Sequence, residues 1–106
     1  MLDEKTIATL KESHGSSLMA VEFPDGKILV FRKPTRFEYD RFRDTFNPDG
    51  NKVTPIRELA KTCVVHPSEQ DLNECLDAYP AVLGNEIFHV LQDMAGHNLE
   101  IATKKL

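Results

Sequence analysis

The clearest hydrophobic pattern in the chain is a pair of strand-like runs around a turn. Leu18-Met19-Ala20-Val21-Glu22-Phe23 and Lys27-Ile28-Leu29-Val30-Phe31-Arg32 flank Pro24-Asp25-Gly26. Proline suits the first corner of a type I turn, aspartate the second, and glycine the left-handed position of the bulge that follows. With Phe23 paired to Lys27, Val21 falls opposite Leu29 and Met19 opposite Phe31. One side of the hairpin is then apolar: Met19, Val21, Phe23, Leu29 and Phe31. The other side, with Ala20, Glu22, Ile28, Val30 and Arg32, is mixed and expected to be only partly covered. A two-stranded ribbon alone is marginal in water, so helices must cover it or further strands must join it.

The rest of the chain follows a helical period. Asp3 is placed to cap a first helix through about Ser13, with Ile7 and Leu10 on one thin face and Gly15 at its stop. Pro34-Thr35-x-x-Glu38 is a capping box opening a helix on which Tyr39, Phe42 and Phe46 share a face while Phe37 points nearly the opposite way. The polar stretch Asn47 to Asn51 breaks it. Thr54-Pro55 starts a helix with Ile56, Leu59, Ala60 and Cys63 as its stripe, and His66-Pro67 stops it. Ser68-x-x-Asp71 caps another carrying Leu72, Cys75, Leu76 and Tyr79. After Pro80 a last helix presents Leu83, Ile87, Val90, Leu91 and Met94, with Gly96 past its end. The pattern predicts an α+β fold: an N-terminal helix and β-hairpin followed by a cluster of about four short helices. The expected core places Met19, Val21, Leu29 and Phe31 under Phe42, Leu59, Leu76 and Ile87.

Composition narrows the class. The 106 residues form one expected domain, 1–106, in which 1–17 is an N-terminal helix expected to be mobile or to dock on a partner and 97–106 a polar tail expected to be mobile. A net charge of −4 gives no overall attraction to nucleic acid or anionic lipid. No apolar run approaches the roughly 20 residues a membrane helix needs. Met1 to Lys5 lacks the organisation of a secretion signal, so the expected location is the cytoplasm. There Cys63 and Cys75 are expected to be reduced core residues.

Catalytic chemistry has little to build on. Cys63, His66, Cys75 and His89 are soft ligands, but zinc sites usually pair their ligands closely on turns, and here only Cys63-x-x-His66 looks so. Asn47-x-Asp49-x-Asn51 suggests a calcium loop until its sixth position, where glycine is required and Lys52 stands. Ser16 and Ser17 lack a nucleophile elbow, and no glycine-rich phosphate loop occurs. The expectation is no catalytic residue, no metal and no cofactor.

The junction Phe31 to Phe42 is the informative segment. Arg32, Lys33, Arg36, Arg41 and Arg43 interleave with Phe37, Tyr39 and Phe42, the ingredients of a single-strand-binding surface. Glu38, Asp40 and Asp44 share the helix, however, and Arg36–Asp40 and Glu38–Arg41 have pairing separations that draw the cations away from phosphates. Arg32, Lys33, Arg36 and Phe37 are the candidate partner-binding residues. For Phe37 two readings stand: a solvent-side anchor, or a ring folded back onto Val30 or Ile28.

Phe31-Arg32-Lys33-Pro34-Thr35, then Glu38 and Arg41-Phe42, then Cys63-Val64-Val65-His66-Pro67, then Asp77-Ala78-Tyr79-Pro80, in this order, resemble small tail assembly chaperones of long-tailed bacteriophages and prophages. The resemblance covers roughly residues 18 to 95. It implies a non-catalytic protein that binds the long helical tape-measure protein before tail-tube subunits polymerise around it. Several such chaperones are made together with a frameshifted, extended form. The partners it implies are the tape-measure protein and the tail-tube protein; self-association is a separate expectation. The alternative reading is a small phage or bacterial regulatory module that binds nucleic acid or a host protein through residues 31–43; a structural head–tail component is a third.

Overall fold

A computed structural model describes residues 2–97, 99 and 101–106. The chain runs α1 (Glu4–His14), β1 (Leu18–Glu22), β2 (Ile28–Arg32), α2 (Arg36–Thr45), α3 (Val53–Cys63), β3 (Val64–His66) and α4 (Glu69–Ala78). A π-helical turn, Leu83–Ile87, then leads directly into α5 (Phe88–Met94). The fold is α+β, as the pattern predicts.

The hairpin has the expected register, with Met19 opposite Phe31 and Val21 opposite Leu29. Its turn closes through Phe23 N–H to the Lys27 carbonyl at 2.8 Å and Gly26 N–H to the Phe23 carbonyl at 2.9 Å. Gly26 has φ +90°, a conformation that a Cβ would strain. A third strand, absent from the sequence reading, joins the sheet. The segment after Cys63 does not continue the helix to His66; Val64–His66 pairs antiparallel with β2, giving the order β1-β2-β3. Two β-branched valines between a helix end and Pro67 favour extended backbone.

Caps form where their residues indicate. Asp3 Oδ1 accepts from Thr6 N–H at 2.7 Å, and Ser68 Oγ accepts from Asp71 N–H at 3.2 Å. Lys52 precedes α3 without a side-chain cap, and Asn51 Oδ1 accepts from Thr54 N–H instead.

The core joins one face of the sheet to α2–α5. Phe23, Leu29 and Phe31 meet Phe42, Ile56, Leu59, Leu72, Ile87 and Leu91, with Cys63 and Cys75 buried among them. Two expected core members are less buried than the pattern implies, although Leu76 still packs against the core. Met19 is 49% exposed: it lies on the outer strand β1, toward the end away from buried Phe23. Leu76 is only half-buried, since Leu72 and Cys75 occupy the inward face of α4. The second sheet face is better covered than expected. Val30 is buried, Leu10 is buried on α1, and α1 packs beside β3. From Leu99 and Ile101 onward the described tail residues have no regular structure and are exposed; the parts of the expected tail and N-terminal segment at Asn98, Glu100 and Met1 lie outside the described residues.

Candidate functional site: the junction and the α2–α3 groove

The junction begins where β2 ends. Arg32, the last strand residue, reaches forward to Glu38 in the first turn of α2, with Nη1 to Oε1 at 2.8 Å and Nη2 to Oε2 at 2.7 Å. Glu38 occupies this place because of the capping box. Thr35 N–H donates to Glu38 Oε1 at 2.9 Å, and Glu38 N–H donates to Thr35 Oγ1 at 3.2 Å. Arg32 Nη2 also donates to the Thr62 carbonyl at 3.1 Å. That carbonyl lies in the last turn of α3, where helical acceptors lack partners along their own helix. A single guanidinium therefore ties a strand to the start of one helix and the end of another. The bidentate pair holds the Glu38 carboxyl down at about 2, against 4.5 for the free group, and raises Arg32 in turn.

This changes the expected pairings. Glu38 pairs with Arg32 rather than Arg41, because Arg32 offers a fixed planar fork while Arg41 lies on an exposed helix face. Arg36 does meet Asp40, at 3.8 Å and in full solvent. Of the candidate partner-binding residues, Arg32 is half-buried with its guanidinium engaged, whereas Lys33, Arg36 and Phe37 are exposed.

Phe37 is 73% exposed. It does not fold back over the hairpin; it forms one wall of a groove of about 460 Å³ between α2 and α3. Phe37, Arg41 and Thr45 lie along one wall, and Thr54, Pro55, Glu58 and Thr62 along the other, while Phe42 and Leu59 form the floor and Asn51 closes an end. Thr45 Oγ1 donates to the Arg41 and Phe42 carbonyls, both at 3.1 Å, and Thr62 Oγ1 to the Glu58 carbonyl at 2.9 Å. Those hydroxyls are satisfied within their helices, so they place little hydrogen-bonding demand on an occupant. A shallower depression of about 350 Å³ lies between Lys33-Pro34-Thr35-Arg36, Tyr39, Asp40 and Ala95. The sequence reading singles out Phe37 but misses the groove, whose second wall comes from α3; the short Asn47–Asn51 connection was the available signal that α2 and α3 are antiparallel neighbours.

The soft-ligand set does not converge. Cys63 ends α3, Cys75 lies within α4, His66 pairs with β2 and His89 is exposed on α5. Both thiols are free and buried. Burial pushes Cys63 up to about 11 despite the pull of nearby Arg32, and raises Cys75 as well. Among the described residues no three histidine, cysteine or acidic side chains gather to hold a metal. Nor is any helix among them long and apolar enough to cross a membrane.

Comparison with known proteins adds fold and family. The uncharacterised protein rbstp2171 from Bacillus stearothermophilus is similar in structure, with a TM-score of 0.66 and 17% sequence identity over 93% of this chain and 98% of that one. Its likeness establishes the fold alone. No curated protein matches the chain. The profile of a domain of unknown function, DUF6848, matches residues 18–104, from the first strand of the hairpin through α5 and most of the tail, and the chain belongs to that family.

Proposed function

We propose that this chain is a non-catalytic binding protein acting as a tail assembly chaperone, which holds a tape-measure protein in the host cytoplasm until tail-tube subunits enclose it. The observation that supports this reading is Phe37, a large ring left in solvent on the wall of a helix-lined groove. Burying such a ring supplies binding energy, and nearby arginines supply orientation. A groove with an apolar floor suits the apolar stripe of an amphipathic helix, the structure expected of a tape-measure segment. Arg41, exposed on the same wall as Phe37, would meet acidic positions on such a helix, while Lys33 and Arg36 line the neighbouring depression beyond the start of α2.

The test is co-expression with the very long helical protein expected from the adjacent reading frame. The chain should co-purify with it and keep it soluble, and Phe37→Ala should abolish capture without loss of fold. Retention on single-stranded DNA that falls steeply with salt, together with no capture of the helical protein, would favour the regulatory-module alternative.

A further inference from the structure

The two edges of the sheet are protected unequally. β3 is three residues long, is followed by Pro67 and has α1 packed beside it. A short, proline-stopped, covered strand is a common way to blunt an edge. β1 has none of these devices. It is a five-residue strand, Leu18–Glu22, with one charge and no proline, and Met19 and Ala20 on it are exposed. Neither basic residue nor bulge guards it; the irregularity in the sheet lies between β2 and β3.

The hydrogen-bond alternation identifies what β1 offers. Phe23 and Ser17 bond to Lys27 and Lys33 across the hairpin, so the odd-numbered residues of β1 face β2. Leu18, Ala20 and Glu22 therefore turn their backbone groups outward. Leu18 N–H is partly spent on the Ser16 carbonyl at 3.1 Å. The N–H and C=O of Ala20 and Glu22 point away from β2, and among the described residues no backbone bond to them is seen on that side.

We infer that the β1 edge is a self-association surface, and that its occupant is the β1 strand of a second copy, antiparallel about a two-fold axis at Ala20. The strand is self-complementary in this register. The two Ala20 residues exchange a pair of N–H···O=C bonds, and each Glu22 N–H meets the partner strand's Leu18 carbonyl. On the core-facing side Met19 comes opposite Val21 of the second copy, which covers part of a methionine left 49% exposed in the single chain. The two Glu22 carboxylates lie at opposite ends of the pairing, each across from a leucine. A register centred on Glu22 would set two like charges face to face, so charge as well as length selects Ala20. Joined this way, two three-stranded sheets become one of six strands. The surface shares no residue with the α2–α3 groove, so self-association stands apart from partner capture.

The experiment is light scattering coupled to gel filtration over a concentration series, with three variants. Wild type should show twice the 12.0 kDa chain mass. Met19→Lys places a charge at an exposed position, so the fold should persist while dimer dissociation rises roughly tenfold or more. Ala20→Pro removes an outward-facing N–H that the hairpin does not use, and should act in the same direction. In Ala20→Cys the new thiol is the accessible one, Cys63 and Cys75 being buried, so a short bis-maleimide should yield a covalent dimer. A wild-type monomer throughout the series would overturn the inference. So would a dimer that folded Met19→Lys leaves intact and that Ala20→Cys fails to cross-link.

Discussion

On one side of α2, Glu38 is clamped by Arg32 and Phe42 is packed against Tyr39, Phe46 and Phe88 at ring-centroid distances of 5.4–5.5 Å. On the other, Phe37 stands in solvent and Arg36 meets only Asp40 across a long, exposed ion pair. The two sides come from ten consecutive residues of similar composition. Their difference shows that aromatic and basic character in a sequence does not by itself mark a working surface. What separates them is whether a second element lies within reach: α5 supplies Phe88 to Phe42 and β2 supplies Arg32 to Glu38, while the Phe37 ring stands exposed on the groove wall and Arg36 lies outside the groove.

Removing a ring from the packed side should have the largest effect. Phe42 is 5% exposed and touches three other rings. Phe42→Ala is expected to cost about 3–5 kcal/mol in urea unfolding. A loss as small as that of a surface substitution would mean that the aromatic cluster does not hold α2 to α5.

Next in size is the clamp. Glu38→Gln leaves the half-buried Arg32 without its counter-charge, with an expected cost of about 1.5–3 kcal/mol near neutral pH. The pH dependence has a definite sign. Folding lowers the Glu38 pKa from 4.5 to about 2, so the folded state binds the proton less well than the unfolded state. The stabilisation is fully present above about 4.5 and is lost as pH falls through about 2. Thermal melts of wild type and Glu38→Gln should therefore converge across that window. A gap that stays constant down to the lower limit would assign the loss to packing rather than to charge.

A smaller loss is expected at the cap. Thr35→Ala removes the acceptor for Glu38 N–H and loosens the carboxylate that Arg32 grips, at about 1 kcal/mol. The Thr35→Ala/Glu38→Gln double variant should lose less than the sum of the single losses, because both act on one network.

Local features were legible in the chain, and long-range ones were not. The hairpin register, the capping box, the stripe on α3 and the caps of α1 and α4 all depend on residues within a few positions of one another, and each appears where the pattern puts it. Strand β3 was hidden because its partner, Val30, lies far upstream and three residues carry no readable alternation. The Arg32–Glu38 pair was hidden for a different reason. Helical spacing offers Glu38 a neighbour in Arg41, and only the path of β2 into the junction brings a better-placed guanidinium to it. The groove needed both α2 and α3 in place, so the sequence could name Phe37 without showing what it faces.

The smallest effect on stability should come from the same substitution made on the open side of the helix. Phe37 is 73% exposed and joins none of the ring contacts that surround Phe42. Little apolar area returns to water when its ring is removed, and alanine is the better helix former, which offsets part of the remainder. Phe37→Ala is therefore expected to stay within about 0.5 kcal/mol of wild type in the same urea titration. Set beside Phe42→Ala, it turns one helix into an internal control: identical chemistry is removed from two positions five residues apart, and only the environment differs. If Phe37→Ala destabilises the fold as much as Phe42→Ala, the ring is part of the core in solution and the groove loses its anchor. If the loss is small and partner capture disappears with it, the open side of α2 is the working surface.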